Sequence, residues 1–265
     1  MKKSYSKAVT KCQISNSKKL KSLIFLGYLP PVNTLRKIGS TLKEEISFPA
    51  ELLYCPKSKL AQLGCIVNKE ILFPYSYPYT SSTTKILRDN FADLYRDTLK
   101  ITELEKNDLV IDIGSNDGNL LSNFKGRHKV LGVTPEQIGK LAIKKGIPTI
   151  IDYFNKKVSN KIISKYGKAK IITATNAFAH IDDINSIVKS ILKTLRNDGI
   201  FISESHYLLP LIQTVQYDTI YHEHLRYYSL ESLNFLFKKY KLEIIDTKEI
   251  PTHGGSIRVY AARRG

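Results

Sequence analysis

The sequence predicts an α/β fold built on a mostly parallel, seven-stranded sheet. Three observations predict it. From Leu109 onward, short apolar runs alternate with stretches of helical spacing. The first run, "VIDIGSNDGNLL", ends in a turn bracketed by Gly114 and Gly118. The last two runs, "LEIIDTKEI" and "SIRVYAARR", are separated only by the turn-rich "PTHGG". Strand–helix alternation indicates a parallel sheet with helices on both faces. Two strands joined by a turn alone run antiparallel.

Each element follows from its own residues. "DLVIDIG" is short, apolar and closed by glycine, as a buried strand is, and "NLLSNFKG" opens a helix. "HKVLGVT" is the second strand; "PEQIGKLAIKKG" is a helix with Pro135 near its start and Gly146 at its stop. "IPTIID" and "AKIITAT" are strands three and four. In "DINSIVKSILKTLRNDG", Ile184, Ile187, Val188, Ile191, Leu192 and Leu195 repeat with the spacing of an amphipathic helix. "IFISES" is strand five, and "SLESLNFLFKKYK" is a helix with a Ser cap and Glu231 in its first turn. The terminal pair completes seven strands with the last one reversed. That is the arrangement of a Rossmann-like class I methyltransferase; a nicotinamide-binding domain more often ends on a sixth parallel strand.

Residues 1–85 read as a small irregular or β-rich module, because their apolar pieces are broken by Pro and Gly. "ILFPYSYPYTSSTT" is a loop, and "TKILRDNFADLYRDTLKI" is an amphipathic helix leading into the domain of residues 86–265. No run of about 18 apolar residues exists, so no membrane-spanning helix is expected. The basic N-terminus lacks the apolar stretch of a secretory signal. Three cysteines, Cys12, Cys55 and Cys65, give no disulfide pattern and fit a reducing cytoplasm. A net charge of +17 favours acidic partners such as nucleic acid, anionic membrane or phosphorylated small molecules. The lysines, however, are spread from end to end beside abundant Ile, Asn and Tyr, which reads as compositional bias. Nucleic acid is not the expected partner.

The glycine turn carries the strongest signal. A buried strand ends in Asp112, and Gly114-Ser115-Asn116-Asp117-Gly118 turns into a helix. Glycine lets a ligand approach the backbone closely, and ligands of such sheets sit beyond the C-terminal strand ends, at the helix N-terminus. The Gly-x-x-x-Gly spacing differs from the pyrophosphate-binding Gly-x-Gly-x-x-Gly and favours S-adenosylmethionine, whose ammonium Asp112 and Asp117 would balance. An ordinary strand–turn–helix is the competing reading. Strand two ends in Thr134, where many such domains place an acid for the ribose; Glu136 follows two residues later and helps if the turn folds back. Asp152 is placed to bind the adenine amine, with Tyr153 and Phe154 as ring neighbours. Asn176, Phe178 and His180, after strand four, border both cofactor and acceptor.

The window "YDTIYHEHLRYYS" follows strand five and can fold over the crevice. His222 and His224 are two apart, which does not suit a zinc pair on a helix. A turn would bring Tyr221 to His224. A histidine steered by a neighbouring carboxylate, here His224 beside Glu223, suits a general base, and tyrosine hydroxyls can stabilise an oxyanion. Those parts suit removal of a proton next to a carbonyl. A polar helix-capping segment is the bland alternative.

"VIDIGSNDGNLL", "NAFAHIDD", "YDTIYHEHLRYYS", "HGGSIRVY" and "YPYTSS" resemble, in order and spacing, the S-adenosylmethionine-dependent C-methyltransferases of nucleotide-linked deoxysugars. The resemblance runs over nearly the whole chain. It implies methylation of a ring carbon beside the keto group of a nucleotide-diphospho sugar. His224 would be the base and Glu223 its partner, with Tyr221 and His180 at the sugar and Tyr77, Tyr79 and His222 as substrate contacts. The family's N-terminal module binds zinc through two Cys-x-x-Cys pairs. Here they are Cys12-Gln-Ile-Ser15 and Cys55-Pro-Lys-Ser58, so no structural metal is expected. Family members continue past "HGGSIRVY" into a further domain; this chain is expected to lack it, with a partner chain as one possible source. An RNA or other small-molecule methyltransferase, and a degenerate non-catalytic S-adenosylmethionine-binding protein, are the alternatives.

Overall fold

The structure, a computed structural model, describes residues 4–41, 43–73 and 80–265. Tyr77 and Tyr79 lie outside the described residues. The N-terminal part carries β1 (Ser6–Ala8), β2 (Lys21–Leu29), β3 (Phe48–Cys55), β4 (Leu60–Leu63), β5 (Cys65–Val67) and the one-turn helix α1 (Lys69–Leu72). Helix α2 (Lys85–Ile101) leads to β6 (Leu109–Ile113), α3 (Asn119–Ser122), β7 (Lys129–Thr134), α4 (Gly139–Lys144) and β8 (Thr149–Ile151). Then come α5 (Lys156–Tyr166), β9 (Ala169–Thr175), α6 (Ile184–Thr194), β10 (Leu195–His206) and α7 (Leu208–Gln213). Strand β11 (Arg226–Tyr227), α8 (Leu230–Lys239), β12 (Leu242–Ile250) and β13 (Ser256–Arg263) complete the chain.

The main sheet has the order β12-β13-β10-β9-β6-β7-β8. Strands β10, β9, β6, β7 and β8 are parallel, while β13 runs antiparallel to both β10 and β12. The predicted seven strands with a reversed last strand are therefore the observed topology. Every residue of β6 is buried, as a central parallel strand covered on both faces requires. Helix α6 buries its predicted stripe, including Ile184, Ile187, Val188 and Ile191, and Asp183 caps it at Ser186 N. Helix α8 starts at a capping box between Ser229 and Ser232.

Two helices are shorter than their sequence suggests. α3 is a single turn, and α4 begins at Gly139. The chain from Pro135 to Ile138 is used for turns instead, and Glu136 folds back there onto Thr134.

The N-terminal part is β-rich but not self-contained. Its four-stranded sheet has the order β11-β4-β3-β2, so the fourth strand comes from the histidine window. Arg226 pairs with Gln62 and Tyr227 with Ala61. Cys12, Ile14, Cys55 and Leu60 share one apolar core with Phe178, Phe201, Tyr228 and Leu233. A boundary at residue 85 thus cuts the sequence but not the packing.

Candidate active site

The cofactor crevice lies at the C-terminal ends of β6, β7, β8 and β9. Gly114 and Gly118 hold left-handed backbone, with φ of 81° and 80°. A Cβ on Gly114 would lie 2.6 Å from the Cβ of Ala177, so the turns after β6 and β9 touch at a spot that only glycine permits. Asp112 is buried at the end of β6 and accepts a hydrogen bond from Thr173 Oγ1 at 2.6 Å. Burial pushes its carboxyl up to about 7, against the opposing effect of that hydrogen bond.

Asp117 has a different role from the one expected. It is fully buried and accepts from Ser81 Oγ at 2.8 Å, from Ser82 Oγ and from Lys145 Nζ at 3.1 Å. Burial disfavours its charge, but the bonds from Ser82, Ser81 and Lys145 outweigh this and hold it below the usual carboxylate range. Ser81 N donates to Asn116 Oδ1 at 3.0 Å, and Asn119 Nδ2 donates to Ser81 O at 3.2 Å. The end of the "YPYTSS" segment is thereby latched onto the glycine turn. Its carboxylate oxygens already committed, Asp117 is an anchor rather than a counter-charge for a cofactor ammonium.

Thr134 is buried at the end of β7, and its hydroxyl donates to the Glu136 carboxylate. A carboxylate thus returns to the strand end where a ribose acid belongs. Asp152 is exposed past β8, and Tyr153 lies beneath Lys69, whose Nζ is 3.8 Å from the ring centre. Phe178 departs from expectation. It is fully buried, and the rings of Phe201, Tyr228 and Phe237 surround it, so it belongs to the core.

The residues present fit the cofactor. Ser115 Oγ, Asn176 Oδ1 and His180 Nδ1 are buried polar atoms without a partner among the described residues. Each such atom costs on the order of 1–3 kcal/mol until something pairs with it. An amino acid joined to a nucleoside supplies such partners.

Beside the crevice, four of the six histidines gather. The His224 ring lies 5.1 Å from that of His180 and 4.3 Å from that of His206; His206 lies 5.6 Å from His253. The expected turn forms: His224 N donates to Tyr221 O at 3.0 Å, and the two rings stand 4.2 Å apart. His224 Nδ1 lies 2.9 Å from the Thr219 carbonyl, which also accepts from Tyr227 OH. A carbonyl only accepts, so Nδ1 carries the proton and Nε2 is left basic. Burial, and then the His180 ring, bring His224 down to about 3. His180 and His206 are likewise held near 3, mainly by burial. The cluster is neutral at physiological pH.

Two expectations for this window change. The group that orients His224 is the Thr219 carbonyl, whereas Glu223 is engaged by Asn33 Nδ2 at 2.5 Å. Successive side chains of a tight turn diverge, which separates the pair. His222 points away from His224, as residues two apart do here; its ring packs on Phe48 and its Nε2 lies 3.2 Å from Pro49 O. It ties the window to β3.

Several residues escaped sequence reasoning. Arg226 is fully buried and donates to Tyr228 OH, Gln13 Oε1 and the carbonyls of Phe178, Ala179 and Ile181. It fastens the loop of His180 to the window and to the N-terminal part. Glu204 and Arg258 form a buried ion pair at 2.8 Å, joined by Asn90. Asn176 and His253 both have left-handed backbone, φ 52° and 54°, and their side chains meet at 3.3 Å. The one available cue was the "HGGS" motif.

The four residues of the two Cys-x-x-Ser pairs also converge. Cys12 Sγ is 3.0 Å from Ser58 Oγ, and Ser15 Oγ is 3.5 Å from Cys55 Sγ. Burial disfavours the Cys55 thiolate, but hydrogen bonds from Ser15, Ser58 and Cys12 prevail and bring it down to about 7. Two thiols and two hydroxyls that stay protonated do not make the closed thiolate or imidazole set of structural zinc. The quartet is held by hydrogen bonds.

Fold and crevice together define a methyltransferase of class I. Residues 85–247 match the family model for a methyltransferase domain, and residues 12–73 match that for a putative zinc binding domain. The first match covers more than half of the chain, which belongs to the methyltransferase-domain family and is an enzyme whose cofactor is S-adenosylmethionine. The chain is similar to the C-methyltransferase NovU of Streptomyces niveus, at 30% identity over 256 residues; these cover 96% of this chain and 61% of NovU's length. A S-adenosylmethionine-dependent methyltransferase of Clostridium acetobutylicum superposes with a TM-score of 0.52 at 17% identity, covering 69% of this chain and 94% of that one. The YcgJ protein of Bacillus subtilis gives 0.50 at 15% identity, covering 67% and 99%. At these identities the structures share the fold. Among the described residues, no helix is long and apolar enough to cross a membrane.

Proposed function

We propose that the protein methylates carbon, next to the ketone of a sugar carried on a nucleoside diphosphate. One observation carries the reading: a neutral imidazole, His224, is fixed in a single tautomer with its basic Nε2 available and is grouped with Tyr221 and His180. O- and N-methylation need less apparatus, because a hydroxyl or amine already carries the lone pair that attacks the methyl group. NovU, similar over 96% of this chain, is named a C-methyltransferase, which supports the same chemistry. The sugar is the substrate that the motif resemblance implies.

When bound, S-adenosylmethionine supplies an electrophilic methyl group. His224 Nε2 takes the proton from the carbon beside the ketone. The Tyr221 hydroxyl, brought alongside by the turn, is the donor for the oxygen that gains charge. Burial of the cluster excludes water, which would otherwise reprotonate the carbanion.

The test uses the purified protein, S-adenosylmethionine and a thymidine-diphospho-4-keto-6-deoxy sugar. Carbon methylation by NMR, and deuterium uptake at the acceptor carbon in D2O without methyl donor, are the expected results. His224→Asn should abolish both, a loss of about 10²–10⁴-fold, and leave S-adenosylhomocysteine affinity within twofold of wild type. Methyl transfer to oxygen or nitrogen, or undiminished exchange in His224→Asn, would sink the proposal.

A further inference from the structure

We infer that His206 and His253 form the route by which the acceptor's proton leaves His224; the inference rests on the function proposed above. Each turnover breaks a carbon–hydrogen bond and leaves its proton on His224 Nε2. The electron pair left on carbon forms the new carbon–carbon bond, and the methyl's former bonding pair stays on sulfur, which departs as a neutral thioether. One proton therefore remains on His224 after every cycle. It has to go before the base can act again.

His224 cannot release it directly. The residue is 3% exposed, and its other nitrogen is committed to Thr219 O. The rings of His206 and then His253 lie beyond it, with centres 4.3 and 5.6 Å apart. Exposure rises along this row: His224 is buried, His206 is half-buried and His253 is exposed. His206 ends β10, so a strand fixes its place. Asn176 Nδ2 lies 3.3 Å from His253 Nε2, and both residues sit in left-handed backbone. Such conformations persist only where the surroundings impose them. Burial lowers the basicity of His253, and the buried carboxylate of Glu204 offsets part of that. Neutral imidazoles accept at one nitrogen and donate at the other, which is what a proton relay needs. His180 also touches His224 and is half-buried like His206, but its other ring neighbour is Phe73, which carries no proton.

The relay residues act through His224 and not on the substrate, which sets the test. Rapid-quench methylation is followed in wild type, His206→Asn and His253→Asn, with and without tens of millimolar imidazole. In His206→Asn the first methylated product per active site should form at the wild-type rate. Later turnovers should slow at least tenfold and recover when imidazole is added. His253→Asn, altered at the exposed end, should show the same pattern more weakly. Wild type should not respond to imidazole. A first turnover slowed as much as the later ones, or later turnovers that are unslowed or indifferent to imidazole, overturns the relay and makes these histidines structural. Wild-type protein that forms no carbon-methylated sugar overturns the functional reading itself.

Discussion

S-adenosylhomocysteine is expected to bind about tenfold more weakly at pH 6 than at pH 8, because of Asp112. The ligand-free carboxyl is buried and pushed up to about 7. Pairing with the ligand's ammonium requires the ionised form. At pH 8 about nine in ten sites are ionised, and at pH 6 about one in eleven, which is roughly 1.4 kcal/mol of binding energy. Binding at pH 6 should therefore release close to one proton per site. The sign follows from linkage: the bound state favours the deprotonated carboxyl, so affinity rises with pH up to about 7 and then levels. The neighbouring groups are silent across this window. His180, His206 and His224 titrate near 3, and Asp117 is held low. Without ligand, the same raised value makes this group's contribution to stability fall by about 4 kcal/mol as the pH rises from about 4 to 7, since the unfolded carboxyl ionises first. Titration calorimetry in two buffers of different ionisation enthalpy measures both affinity and proton release. Asp112→Asn should bind more weakly, with a flat pH profile. A flat profile in wild type, without proton release at pH 6, would refute the reasoning.

Three further outcomes follow from particular contacts. Arg258→Met leaves Glu204 charged and unpaired in the interior, at a cost of about 3–5 kcal/mol; the melting temperature should drop by roughly 6–10 °C, and adding Glu204→Leu should restore most of it. Wild-type protein should carry less than about 0.1 equivalent of zinc, whereas Ser15→Cys with Ser58→Cys should carry about one by elemental analysis, because the quartet is already drawn together to nearly the roughly 3.8 Å edge of a zinc–thiolate tetrahedron. Ser81→Ala removes a donor to buried Asp117 at a cost of about 1.5–3 kcal/mol, which should lower the melting temperature by roughly 3–6 °C.

What could be read in the sequence was what is local. The strand before Asp112, the glycines that need left-handed backbone, the stripe of α6 and the Ser229 cap each depend on residues a few positions apart. So does the turn joining Tyr221 to His224. The reversal of the last strand followed because two strands joined by a turn alone run antiparallel. The N-terminal sheet was not legible, because its fourth strand is only two residues long and comes from the far end of the chain.

The site residues whose contacts differ from expectation share one cause, which is that residue type gives capability and the partner gives role. An aspartate in a glycine turn reads as a counter-ion, but two serines 35 and 36 positions earlier occupy Asp117. Glu223 reads as the partner of the histidine beside it, yet a backbone carbonyl, invisible in any residue pattern, takes that place. Phe178 reads as a crevice residue from its loop, but three aromatic rings from other elements claim it for the core. The converse case is His206 and His253. Each is unremarkable on its own strand or turn, and only the antiparallel pairing of β13 with β10, which sets His206 opposite Ser256, brings the "HGGS" turn to the base. That pairing gives the reversed last strand a chemical consequence beyond closing the sheet: a parallel strand would begin at the opposite edge, and its preceding turn would lie a full strand length from His224.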